Sequence, residues 1–111
     1  MLAYGQSLNG GDAVYSPWFP RQGNHCVFRA EQIKSQGGSN LTVKFYHKNA
    51  EDTGNGTHIT GKDIAFTSDS VGKSALTDLK ELVRVRFDVS GTGSAVSRML
   101  QPVWYNANCT Q

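Results

Sequence analysis

The chain has 111 residues, enough for one domain around one hydrophobic core and too few for two independent ones. Its 11 Lys and Arg nearly balance 9 Asp and Glu, and the formal charge of +2 comes with no run of like charge, which argues against a nucleic-acid partner. Hydrophobic residues at 38% and charged residues at 18% are low for a globular protein, while Gly, Ser, Thr and Asn are plentiful, so short strands and turns are favoured over helices.

The N-terminus, Met1-Leu2-Ala3-Tyr4-Gly5-Gln6, has neither the basic start nor the apolar core of a signal peptide. No stretch reaches the roughly 18 to 20 apolar residues of a membrane span, so the expectation is a soluble domain with no export address. In chain order, Leu2–Tyr4 and Ala13–Tyr15 are short strand candidates separated by the turn signal Asn9-Gly10-Gly11. Tyr15-Ser16-Pro17-Trp18-Phe19-Pro20-Arg21 follows, and its two prolines exclude a central strand and stiffen an extended loop. Trp, Tyr and Arg dominate protein interfaces, and aromatic faces also stack on sugar rings, so Tyr15, Trp18, Phe19 and Arg21 are candidate binding residues. The alternative is that Trp18 and Phe19 cap one end of the core.

His25–Ala30 puts Cys26, Phe28 and Ala30 on one face and Val27 and Arg29 on the other, with Ile33 continuing the run. After Gln36-Gly37-Gly38, the residues Leu41, Val43, Phe45 and His47 alternate with Thr42, Lys44, Tyr46 and Lys48, the pattern of a half-buried strand. Asn55-Gly56 suits a type I′ turn and predicts a local hairpin. Across it His47 and His58 would face each other near Glu51, Asp52 and Asn55, but the spacing matches no zinc or calcium motif, and solvated turn residues are expected.

His58–Thr60 and Ile64–Thr67 are further short strands, and Asp78 to Glu81 has the spacing of a capping box, which predicts one helical turn over Thr77–Leu82. Leu82–Val89 is the clearest strand: Val83, Val85, Phe87 and Val89 alternate with Leu82, Arg84, Arg86 and Asp88. Arg84 and Arg86, with Lys44 on another strand, form an outward basic stripe, either a solvated face or a recognition patch. Past Gly91-Thr92-Gly93, Arg98–Tyr105 sets Met99, Val103 and Tyr105 opposite Leu100 and Trp104. Pro102 marks that run as an edge strand or a bulge. Trp104 and Tyr105 would extend an aromatic surface there, and an open edge is a template for pairing with a neighbouring subunit.

Only Cys26 and Cys109 are present, so one bridge is the most that can form, and a buried free Cys26 is expected without an export signal. The patterns Asn40-Leu41-Thr42, Asn55-Gly56-Thr57 and Asn108-Cys109-Thr110 are read as chance glycosylation acceptors for the same reason. No Gly-x-Ser-x-Gly elbow or phosphate-cradling loop occurs, and the carboxylates fall in turns or on wet faces. No catalytic residue, cofactor or metal ligand is assigned.

These readings converge on a single all-β domain over residues 1–111: a two-sheet antiparallel β-sandwich, jelly-roll-like, with at most one short helical turn. The expected function is that of a non-enzymatic structural subunit of a virion, shell or fibre, joined to copies of itself through an edge strand and the aromatic loop. The alternative is a carbohydrate-binding module whose exposed aromatics stack on a polysaccharide.

Overall fold

The computed structural model describes residues 4–9, 13–99 and 102–105. Among them are eleven strands and no helix: β1 (Tyr4–Asn9), β2 (Ala13–Tyr15), β3 (Phe19–Pro20), β4 (His25–Gln36), β5 (Leu41–Lys48), β6 (Thr57–His58), β7 (Ile64–Ala65), β8 (Ser70–Leu76), β9 (Leu82–Val89), β10 (Ser94–Met99) and β11 (Val103–Tyr105). They build two antiparallel sheets packed face to face, as the period-two pattern of the sequence demands.

The first sheet runs β1-β10-β4-β8, with β11 lying beyond β10 along the same side of β4. The second has β9 and β5 at its centre; β2 and β3 line the free side of β9, and β6 and β7 the free side of β5. Hydrogen-bonded partners nest through the chain. β1 pairs with β10, β2 and β3 with β9, β4 with β8, and β5 with β6 and β7, so successive pairs alternate between the sheets.

Alternation delivers the core. Cys26, Phe28, Ala30, Leu76, Ala95 and Met99 point inward from the β4 sheet, and Leu41, Val43, Phe45, Val83, Val85, Phe87 and Val89 from the β5 sheet. Phe28 and Phe45 meet between the layers with ring centroids 5.0 Å apart. The inward polar residue Gln32 is satisfied at the end of the layer: its Oε1 accepts from Leu41 N at 2.7 Å, and its Nε2 donates to Asn40 Oδ1 and Asp69 Oδ1, each at 3.2 Å. Cys26 is a free, buried thiol, pushed up to about 12 by desolvation; Cys109 lies outside the described residues.

The β4 run continues through Ile33 to Gln36. The register on β10 slips there, between Val96, opposite Lys34, and Ser97, opposite Gln32, leaving Ile33 as an unpaired bulge residue that is exposed. Three local expectations are corrected. The hairpin in the 50s exists, with Tyr46 opposite His58 and His47 opposite Thr57, but its connection is a longer loop. Gly54 and Gly56 take positive φ there and Asn55 does not, so no type I′ turn forms. The segment Thr77–Leu82 forms no helical turn; Asp78 adopts φ of 54° and Leu79 plugs the end of the core. Finally, Arg98–Tyr105 is two strands broken around Pro102, and Trp104 faces the core while Val103 and Tyr105 are exposed. Leu100, the turn Gly10-Gly11 and the tail from Asn106 lie outside the described residues.

Candidate binding face on the β5 sheet

The outward side of the β5 sheet is built from cross-strand rows. Tyr15 of β2, Arg86 of β9 and Lys44 of β5 form one row, and Arg84 of β9, Tyr46 of β5 and His58 of β6 the next. Directly opposed residues on one face of a sheet lie within side-chain reach, so the register itself brings three aromatic rings and three cations together. Tyr15 and Tyr46 have ring centroids 6.0 Å apart, and Tyr46 and His58 5.3 Å.

Trp18 joins this layer from the segment between β2 and β3. Ser16 fastens that segment: its N–H donates to Val85 O at 2.8 Å, and its Oγ accepts from Val85 N at 3.0 Å, replacing a strand pairing that Pro17 cannot continue. Two residues later Phe19 pairs with Val83 on the inward side, so Trp18 is left to lie over the outer face. The Arg84 guanidinium is 4.2 Å from the Tyr15 ring centre and 4.5 Å from that of Trp18, and Lys48 Nζ is 4.7 Å from Trp18. Gly56 closes the other side, where a Cβ would come within 2.6 Å of Trp18 Cη2.

Lys44 and Arg86 share the Asp88 carboxylate, whereas Lys48 and Arg84 donate to backbone carbonyls. Arg86 Nε donates to Asp88 at 2.6 Å, which raises its pKa further, with help from Tyr46, and its Nη1 donates to the Tyr15 hydroxyl at 3.1 Å. Lys44 reaches the other Asp88 oxygen at 3.4 Å, and Lys48 donates to Gly54 O. Arg84 Nη2 donates to Asn55 O at 3.3 Å, while its buried Nε has no hydrogen-bond partner among the described residues. The two rings flanking Arg84 therefore supply the electrostatic compensation that a hydrogen bond would otherwise give.

Of the residues singled out in the sequence, Tyr15, Trp18, Arg84 and Arg86 come together here, and the other four do not. Phe19 and Trp104 are partly buried and pack on each other and on Phe28, at centroid separations of 6.0 to 6.3 Å. Arg21 donates to the Leu79 carbonyl and lines a shallow hollow of about 350 Å³ with Pro20, Ala50, Glu81 and Leu82. Tyr105 is on the outward side of the opposite sheet, its ring tilted 43° to that of His25 with centroids 5.2 Å apart.

Tyr46 and Lys48 also belong to the face, as does His58, which the sequence pairs with His47 instead. The alternation that placed Lys44 outward also placed Tyr46 and Lys48 there, and only the register of β6 was missing for His58. That register also separates the two histidines of the hairpin: His58 is outward and bonds Asp63 at 2.8 Å, whereas His47 is inward. Among the described residues, no group of three or more His, Cys, Asp or Glu could hold a metal ion.

The chain matches no protein-family profile, no curated protein and no solved structure.

Proposed function

We propose that the domain is a non-enzymatic structural subunit that associates with copies of itself through the outer face of the β5 sheet. The observation that carries this reading is the stacked layer of Tyr15, Trp18, Arg84 and Arg86, held in one arrangement by cross-strand register, ring contacts and the Asp88 pair. Trp, Tyr and Arg held in place before binding are the residue types that carry most interface energy, because little side-chain entropy remains to be lost.

An assembly that propagates needs a second surface on each subunit. Ile33, Val71, Val103 and Tyr105, at 46%, 56%, 51% and 40% exposure on the outer side of the β4 sheet, offer one. Apart from β1, whose six residues pair only with β10 among the described residues and leave an edge open, edge pairing fits less well than face packing. The β5 sheet ends on strands of two or three residues, and β8, which pairs only with β4 among the described residues, carries Lys73 in its middle. Short edges and edge lysines oppose strand addition.

The nested pairing supports the finer reading of the fold as a jelly roll, an architecture used by capsid and lectin domains, and by analogy of fold alone it supports a shell- or fibre-forming role. The row of rings Tyr15, Tyr46 and His58 favours a second reading, in which the face lies along a polysaccharide.

Sedimentation velocity on the Trp18→Ala, Arg84→Ala double variant separates these readings. If the face joins subunits, the variant sediments as a monomer under conditions where the parent chain sediments faster, with its far-ultraviolet spectrum unchanged. A parent chain that is monomeric, yet retained on immobilised polysaccharide in a Trp18-dependent way, would replace the first reading by the second.

A further inference from the structure

The segment Thr77–Glu81 carries the chain from β8 in one sheet to β9 in the other and is anchored at successive backbone groups. Asp78 N donates to His25 Nδ1 at 3.2 Å, and Lys80 N donates to His47 Nδ1 at 3.3 Å. Between them Leu79, 2% exposed, is inserted into the core; its N–H donates to Asn24 O at 2.9 Å and its carbonyl accepts from the Arg21 guanidinium. Glu81 O accepts from Arg21 N at 2.9 Å. The two imidazoles come from different sheets, His25 from β4 and His47 from β5, and they hold one loop from both sides.

The geometry points to a pH-operated latch: protonation of His25 and His47 releases the Thr77–Glu81 crossover, withdraws Leu79 from the end of the core and loosens the Arg21 segment. The reason is the sense of the two hydrogen bonds. Each Nδ1 accepts, so each ring is neutral with its proton on Nε2; an imidazolium has a proton on both nitrogens and no lone pair, and would set donor against donor. Both contacts hold the same short loop through a backbone N–H, so each protonation removes one of its side-chain acceptors.

The surroundings give little compensation to a proton on His47. It faces Val83 of β9 and Thr57 of β6, the charged group beside it is Lys80 of the loop, and Arg84 and His58 project to the opposite side of the sheet. Burial, and then Lys80, lower its pKa. A depressed value means that the unfolded chain binds the proton more readily, so this contact is fully present above the ordinary imidazole value of about 6.5 and is lost as pH falls through the lowered one. Around His25 stand the Tyr105 ring of β11, tilted 43° to the imidazole, Asp78 of the loop, whose amide donates to it, and the neutral Cys26 thiol next along β4; Arg21 binds the carbonyl of Leu79, the residue after Asp78. The latch is independent of what the β5 face binds.

A titration of the intact chain by two-dimensional NMR from pH 7.5 to 5 tests it. The amide signals of Asp78 and Lys80 should move with the same midpoints as the ring signals of His25 and His47. Their exchange protection, corrected for the intrinsic pH dependence of exchange, should fall by about tenfold or more. In the double variant His25→Asn, His47→Asn, each amide oxygen stands near the former Nδ1 position and accepts without titrating, so protection at pH 7.5 persists and its pH dependence disappears. Amides that stay fixed while the rings titrate overturn the latch, as does an undiminished response in the folded double variant. Should that variant not fold, the titration of the parent chain decides alone.

Discussion

Arg84 stands where its Nε finds no hydrogen-bond partner among the described residues, and the faces of Tyr15 and Trp18 take that role. A guanidinium between two rings is worth about 0.5 to 2 kcal/mol and fixes both rings as well as the charge. Gln32 solves the opposite problem, a polar side chain on an inward face, by bonding to the start of β5 and to Asp69. Gln32→Leu keeps the apolar volume but strands the buried Leu41 N–H, and the chain should lose about 1 to 3 kcal/mol in urea denaturation. An unchanged midpoint would show that the Leu41 amide finds another acceptor. Residue identity announced the first arrangement only in part: Trp18, Tyr15 and the two arginines stand out by type. Phe19 and Trp104 do too, yet they pack against the core, because pairing with Val83 and with Cys26 turns them inward.

At the scale of the strand, legibility follows the contrast between alternate residues. β5 and β9 are bounded in the structure as the alternation of Leu41–Lys48 and Leu82–Val89 indicates, since every inward residue but His47 is apolar and nearly every outward one polar. β8 gives no such signal: its inward residues are Gly72, Ser74 and Leu76. Gly72 is small because a Cβ there would come within 2.4 Å of Ile64 Cγ2, and Ser74 is buried with its hydroxyl donating to Lys62 O at 2.7 Å, so neither looks like a core position. β10, with Ala95, Ser97 and Met99 inward, is faint for the same reason. The apparent capping box failed because the backbone donors of Thr77–Glu81 are taken by His25, His47 and Asn24, contacts that no local pattern records. Since β5 and β4 meet through Phe45 and Phe28, Phe45→Ala should cost about 3 to 5 kcal/mol by urea or thermal unfolding. A loss below 1 kcal/mol would mean that the layers are not joined there.

Across the whole molecule, the nesting of β1 with β10, β2 and β3 with β9, β4 with β8, and β5 with β6 and β7 places the two outer faces on opposite sides of one shared core. Such a pattern is invisible to composition and periodicity, which fix strand positions and faces but not which strands are neighbours. It is this nesting that makes a patch of Tyr15, Trp18, Arg84 and Arg86 out of residues up to 71 positions apart in the chain. With a formal charge of only +2, long-range repulsion between copies is weak, so contact chemistry on those faces decides association. The most direct measurement is the mass of the native particle by multi-angle light scattering over a concentration series. Association through the β5 face predicts a mass that rises well above the 12.1 kDa of one chain as concentration increases. A mass that stays at 12.1 kDa throughout would contradict it.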